Sequence, residues 1–338
     1  MKPALRRGGD LGIDLGTATT VIHMDGRGIV LEEPSVVGVD RVEGRVCAVG
    51  MEAKAMIGRT PSHLTVIRPL RDGVIADLPV ARAMLEHFIG RVHRGRGFLS
   101  PRVMLGTPSG ITEVEQRAVI HAAETAGARS AQTIEEPMAA ALGAGLPVYE
   151  SVGSLIADIG AGKTEVAVIS LGGIVTSRSI RVGGNALDDA IRAFLRHERQ
   201  LEIGEISAER LKIDHTSAHS ILSDKRVAVR GRNLLTGLPV TIEISTAELR
   251  SAIKEPVKAI IEAVREVLEN APPELVSDIS ERGVFLAGGG AMLRGLDAAM
   301  ERALNTPVQL CEVPIAAVAL GAARALENGG KKSGKTAH

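Results

Sequence analysis

Aromatic side chains are nearly missing from this chain: it has no tryptophan, one tyrosine and four phenylalanines among 338 residues. Stacking on nucleobases needs aromatic planes, so the scarcity argues against single-stranded nucleic acid as a partner. An excess of one charge is missing as well. Forty basic and forty acidic side chains give a formal net charge of zero, which leaves no global field to draw a polyanion. No nucleic-acid partner is expected. The two cysteines, Cys47 and Cys311, lie in apolar strand-like runs and read as small buried hydrophobes in a reducing cytosol, with no chemistry assigned. No stretch reaches the roughly 18 uninterrupted apolar residues that span a bilayer. Met1–Arg7 leads into no signal-peptide apolar region, so a cytoplasmic location is expected.

Two short segments, by contrast, share one design of glycine and threonine after an aspartate. Asp14-Leu15-Gly16-Thr17 and Asp158-Ile159-Gly160-Ala161-Gly162-Lys163-Thr164 each close an apolar strand with an aspartate and continue as a turn. Each is followed by a β-branched run, Thr19–Ile22 and Glu165–Ile169, that reads as the return strand of a hairpin. Glycine lets backbone amides approach phosphate oxygens, hydroxyls add donors, and an acidic residue can hold Mg2+ through its waters. The repetition points to one nucleotide held between two halves, and the length suffices for two domains, each with its own core.

The rest of the chain reads as α/β. Short strands fill residues 10–50, with turns at Gly26-Arg27-Gly28, Glu33-Pro34 and Glu43-Gly44. Arg102–Thr107 reads as a strand. Thr112 and Glu115 have the capping-box spacing, and Val114, Ala118, Val119, Ala122 and Ala123 form one helix face before Gly127. Strands over 154–180 open the second half, followed by a helix whose Leu187, Ile191, Phe194 and Leu195 share a face. Leu249 to Leu268 trace one long helix bent at Pro256. Val284–Ala287 is a strand running into Gly288-Gly289-Gly290, with a helix from Met292 to Leu304.

Four segments in order, Asp14-Leu-Gly-Thr, Ile134-Glu-Glu-Pro-Met-Ala-Ala-Ala, Asp158-Ile-Gly-Ala-Gly-Lys-Thr-Glu and Leu286-Ala-Gly-Gly-Gly-Ala, resemble the actin/Hsp70 ATPase superfamily. Within it, Gly58-Arg-Thr-Pro, Arg71-Asp-Gly-Val-Ile-Ala-Asp, Pro108-Ser-Gly-Ile-Thr and Arg230-Gly-Arg-Asn-Leu-Leu-Thr-Gly-Leu-Pro are similar to the MreB/Mbl family of bacterial actins, over roughly residues 10–326. The resemblance implies an actin-like ATPase fold: two related α/β domains flanking a nucleotide cleft, each with a smaller inserted subdomain. The expected boundaries are an N-terminal extension 1–9, domain I at 10–145 with 32–76 inserted, domain II at 146–326 with 183–248 inserted, and a disordered basic tail 327–338.

It also implies roles. Asp14, Gly16, Thr17, Ala18 and Thr19 match the family's first phosphate loop, and Asp158 to Thr164, with Gly160, Ala161 and Gly162 between, match the second. Asp14 and Asp158 would hold Mg2+ through water. Gly183 and Gly184 are expected at the same ATP/ADP site. Glu209 and Lys212, one helical turn apart, match positions that edge the adenine and ribose; Gly288, Gly289, Gly290 and Ala291 match the loop over the adenosine. Glu136 matches the glutamate that orients the attacking water, and Glu135 is expected to be structural.

The family's second loop normally reads Asp-Ile-Gly-Gly-Gly-Thr-Thr, so Ala161 and Lys163 depart from it, as does Thr19 where asparagine is usual. Lysine has no lone pair to orient water but can bind phosphate directly, so ATP binding with slowed hydrolysis is expected, with a side chain turned to solvent as the alternative. Ala161 is expected to loosen binding modestly, because its methyl stands where backbone should approach phosphate closely and disfavours positive φ. Between Arg91 and Arg102, Phe98 and Leu99 stand among arginines that include Arg94 and Arg96. That composition suits a loop dipping into an anionic membrane surface, and the position matches the membrane loop of MreB-like proteins.

The resemblance thus implies a slow ATPase that assembles into filaments at the inner face of the cell membrane and guides cell-wall synthesis and cell shape. Its partners would be further copies of itself, bitopic shape proteins, the peptidoglycan-synthesis machinery and another bacterial actin. Three other functions are alternatives: a hydrolysis-impaired scaffold, a small-molecule kinase needing an aspartate base facing a substrate pocket, and a chaperone needing a peptide-binding region beyond residue 326.

Overall fold

The computed structural model describes residues 9–71, 73–93, 100–220 and 224–333. Leu11–Leu15 (β1), Thr19–Met24 (β2) and Gly28–Pro34 (β3) form consecutive antiparallel hairpins because apolar alternating runs are separated by glycine turns. Val37–Asp40 (β4) and Arg45–Val49 (β5) lead to the short helix Met51–Met56 (α1), then Leu64–Ile67 (β6), Leu70–Arg71 (β7) and Val74–Ile75 (β8). Leu78–His93 (α2), Arg102–Thr107 (β9), Glu113–Thr125 (α3), Ser130–Glu135 (β10) and Glu136–Gly143 (α4) complete the first run of elements. The five-stranded sheet has the order β10-β9-β1-β2-β3, with β10, β9 and β1 parallel and β1 antiparallel to β2.

The second run repeats this plan. Ser154–Ile159 (β11), Thr164–Ser170 (β12) and Gly173–Ile180 (β13) are followed by Gly184–Arg199 (α5), Leu201–Glu202 (β14), Glu205–His215 (α6), Arg226–Asn233 (β15) and Pro239–Ser245 (β16). Thr246–Ala252 (α7), Lys254–Glu269 (α8), Pro273–Arg282 (α9), Val284–Ala287 (β17), Leu296–Leu304 (α10), Val308–Leu310 (β18) and Ala317–Ser333 (α11) end it. Its sheet runs β18-β17-β11-β12-β13, again with three parallel strands and an antiparallel β11–β12 hairpin. In both sheets the aspartate turn leaves the carboxyl end of a central strand that is parallel to its neighbour, the position where open α/β sheets present ligands. Two smaller three-stranded sheets, β5-β4-β6 and β14-β15-β16, stand apart from these.

The chain divides into two compact units. One comprises the chain through Glu150, Leu171–Gly173 and everything from Ile315; the other comprises Ser151–Ser170 and Ile174–Pro314. The sequence-based boundary placed 315–326 with the second half, whereas α11 packs on α4, β1 and β9 of the first. Glycine makes that packing close: a Cβ at Gly321 would lie 1.7 Å from the Ala139 carbonyl oxygen, and one at Gly143 would lie 1.9 Å from that of Ala317. α11 also continues through Ser333, so the first part of the expected tail is helical, a helix extending cheaply once its packed turns exist. Residues 1–8 of the expected extension and 334–338 of the tail lie outside the described residues.

The core of the first unit centres on Leu11, Ile13, Ile22, Leu85, Phe88 and Leu105, and that of the second on Leu155, Val168, Ile191, Ile260 and Leu286. Three local expectations need correction. The long helix is two helices that meet at Ile253, because Pro256 would clash with the carbonyl four residues earlier and is tolerated only in a first turn. Val114 is exposed, lying in the first turn of α3 ahead of the buried Val119, Ala122 and Ala123. Cys47 is exposed on β5, while Cys311 is buried, its thiol pushed up to about 11 by burial and then by the charge of Asp158. No helix among the described residues is long and apolar enough to cross a membrane.

Candidate functional site

In the first unit, the parallel register places Asp14 beside Gly106 and Gly106 beside Ile134 across three strands. Glu136 opens α4 directly after β10, with Pro137 next to it fixing the first turn. A Cβ on Gly106 would lie 2.5 Å from Val318 Cγ1 and 3.5 Å from Glu136 Cγ, so the missing side chain chiefly makes room for Val318 beside the Asp14 strand. Glu136 is buried and Glu135 exposed. Gly16, Thr17, Ala18 and Thr19 are half-buried in the β1–β2 turn. The Thr17 hydroxyl accepts the Gly73 N–H at 2.9 Å, which fastens this turn to the β7–β8 hairpin while leaving its own proton to donate.

The β11–β12 turn of the second unit is more tightly held. Gly184 and Asn185, opening α5, donate their N–H groups to the carbonyls of Gly160 (3.0 Å) and Ala161 (2.8 Å). In a trans peptide the carbonyl and the following N–H point opposite ways. The N–H groups of Ala161 and Gly162 therefore point away from α5, side by side, in the arrangement that receives phosphate oxygens. Ala161 adopts no positive φ, so its methyl carries no backbone strain, and the expected loosening at this position has no basis in its conformation. Thr164 is fully buried and its hydroxyl donates to the Val182 carbonyl at 2.7 Å, which braces the turn instead of offering a donor to a ligand.

Lys163 neither extends to solvent nor stands alone. Its side chain is 9% exposed and its Nζ lies 3.1 Å from Glu165 Oε2, so the solvent-facing alternative is ruled out.

The residues expected at the adenosine edge are linked to the same turn. Lys212 on α6 donates to Asp188 Oδ2 at 2.8 Å and to the Gly184 carbonyl at 3.0 Å, with Gly183 and Gly184 buried. Burial pushes the Asp188 carboxyl up to about 6, against the opposing pull of Lys212, with Glu209 and Asp189 adding to the rise. Glu209 is half-buried one turn away on α6. Gly288 has φ +82, and a Cβ there would lie 2.4 Å from the Ile159 carbonyl oxygen and 2.5 Å from Asp158 Oδ1. At Gly289, which begins a short 3-10 turn with Gly290 and Ala291, a Cβ would meet nothing within 4 Å. Sequence reasoning missed Asp188 and Glu165. The spacing of Gly184 and Asp188 by one helical turn, and the position of Glu165 opposite Asp158 in a tight hairpin, were the available signals. Arg94, Arg96, Phe98 and Leu99 of the membrane expectation lie outside the described residues.

The MreB/Mbl protein family model matches residues 8–333. The chain belongs to the MreB/Mbl family. It is 50% identical over 324 residues to the cell shape-determining protein MreB of Escherichia coli (strain K12), covering 94% of this chain and 93% of the relative. Among solved structures it is similar to MreB5 of Spiroplasma citri bound to ADP, with TM-score 0.91, 35% identity and coverage of 98% and 99% of the two chains. The same protein bound to AMPPNP gives TM-score 0.91 at 34% identity. A MamK double helical filament matches at TM-score 0.80 and 25% identity over 94% of this chain and 98% of that one. The fold is therefore that of the actin-like ATPases, as the family motifs implied.

Proposed function

We propose that this chain is a bacterial actin-like protein that binds ATP and ADP, polymerises into filaments and determines cell shape from the inner membrane surface by guiding cell-wall synthesis. The observation that carries nucleotide binding is the β11–β12 turn, whose Ala161 and Gly162 amides point away from α5. It is supported by similarity to MreB5, a protein bound to ADP and to AMPPNP. The matching β1–β2 turn has the same phosphate-binding design, and the Gly288–Ala291 loop and Glu209 serve the adenosine.

Among the described residues no three His, Cys, Asp or Glu side chains form a metal cage. Asp14 and Asp158 are each a lone carboxylate of the kind that suits Mg2+ held mainly by water and phosphate. When bound, the cation offsets phosphate charge. Glu136, buried at the start of α4, orients water for attack on the terminal phosphate. Nucleotide binding is used chiefly to bias subunits toward head-to-tail association, which generates open filaments. Shape proteins, wall-synthesis enzymes and another bacterial actin are the further partners, with the segment around Phe98 and Leu99 meeting the bilayer.

Pelleting of the full chain with ATP, with ADP and without nucleotide, in the presence and absence of anionic vesicles, tests this reading. Sedimentation that rises with ATP and again with vesicles is expected; sedimentation indifferent to nucleotide contradicts it. A second reading, an ATP-bound scaffold with impaired hydrolysis, is favoured by the Lys163–Glu165 pair. Phosphate release from Mg-ATP by Lys163→Thr but not by the native chain would support it, and equal release by both would exclude it.

A further inference from the structure

Three ionisable side chains gather at the β11–β12 turn. Asp158 and Glu165 are direct partners in the antiparallel register, so they leave the same face of the sheet with Cβ atoms about 5 Å apart. Both are buried, Glu165 to 1% exposure. Two carboxylates at that spacing repel in a poorly solvated site, and a cation beside them offsets that repulsion. Lys163, two positions before Glu165, places its Nζ 3.1 Å from Glu165 Oε2 with 9% of its side chain exposed. Buried lysine is costly unless its charge is matched, so the pair holds the lysine in place as much as the lysine holds the glutamate.

The family pattern has threonine where this chain has Lys163. With threonine the three positions carry two negative charges and no positive one. With lysine the net is one negative charge, beside a turn whose amides face a ligand of several negative charges.

We propose that Lys163 is a built-in counter-ion of the phosphate-binding turn, which lets this chain hold a nucleoside triphosphate with reduced dependence on a divalent cation. The inference rests on the nucleotide-binding reading above. Removing one unit of negative charge close to the phosphates improves metal-free binding by about tenfold or more at the effective dielectric of a partly buried site.

Fluorescence anisotropy with a fluorescent ATP analogue, in excess Mg2+ and again in excess EDTA, tests it on the full chain. For the native protein the affinity falls by less than about tenfold on chelation, and for Lys163→Thr it falls by at least about tenfold more than that. Lys163→Arg retains the native ratio. Glu165→Gln, which keeps the lysine and removes a carboxylate, makes the ratio smaller still and supplies the test if Lys163→Thr does not fold. Equal EDTA-to-Mg2+ ratios for the native chain and Lys163→Thr, or a ratio for Glu165→Gln no smaller than native, overturn the counter-ion assignment while leaving nucleotide binding intact. Absence of binding by the native chain in both buffers instead overturns the nucleotide-binding reading on which it rests.

Discussion

The β1–β2 and β11–β12 turns begin from the same sequence design and are held in different ways. The first is half-buried and fastened by a bond from Gly73 to Thr17. The second is braced on three sides: Thr164 donates to Val182, the Gly160 and Ala161 carbonyls cap α5, and Lys163 is paired with Glu165. A turn already fixed by its neighbours loses little freedom when a ligand arrives, whereas a looser one must be ordered. Like motifs in one chain are thus held to different degrees, the second turn braced by its neighbours and the first less so.

The largest effect that would break this comparison is expected at Gly288. Gly288→Ala forces a Cβ within 2.4 Å of backbone at φ +82 and should cost about 3 kcal/mol or more, read as a drop in thermal midpoint. Gly289→Ala, where a Cβ meets nothing, should leave the midpoint within about 1 °C yet weaken nucleotide binding. Equal destabilisation by both would show that the loop is not packed as described.

Next comes Asp188. Its carboxyl, held at about 6 against an ordinary 3.8, keeps its proton in the folded chain over a window where the unfolded chain has lost it. Stability from this group is therefore full below about pH 4 and is lost as pH rises through about 6. From pH 4 to pH 7, the difference in unfolding free energy between the native chain and Asp188→Asn should shift by up to about 3 kcal/mol in favour of the variant. A constant difference over that range would remove Asp188 from the account.

Hydroxyl deletions sharpen the contrast directly. Thr164→Val leaves a partly buried carbonyl without its partner and should cost about 1–2 kcal/mol, while Thr17→Val should cost less than about 1 kcal/mol in stability and more in nucleotide affinity. Smallest of all, Ala161→Gly should change stability by less than about 1 kcal/mol and nucleotide affinity by less than about threefold, because no positive φ is there to relieve. Denaturant titrations and the anisotropy measurement report both.

Features set by neighbouring residues were legible in the sequence. The Thr112–Glu115 capping box forms as the spacing implied, and a second at Ser245 and Glu248, which holds the Glu248 carboxyl down at about 2 chiefly through the Ser245 N–H, has the same spacing. The aspartate turns followed from glycine after an apolar run. What escaped the reading depends on partners distant in sequence or across a strand. Lys163 looked free because Glu165 became its partner only once β12 was registered against β11. Lys212 was expected, with Glu209, only at the adenosine edge, yet its ammonium goes to Asp188 and Gly184 on α5. The return of α11 to the first unit depends on close backbone contact between helices that no local pattern announces.

Each of the two turns is proposed to bind nucleotide phosphate. Isothermal titration of the full chain with ATP and Mg2+ should give binding that is weakened by Thr17→Val in the first turn and by Gly289→Ala in the second unit. Binding that is indifferent to either substitution would contradict it.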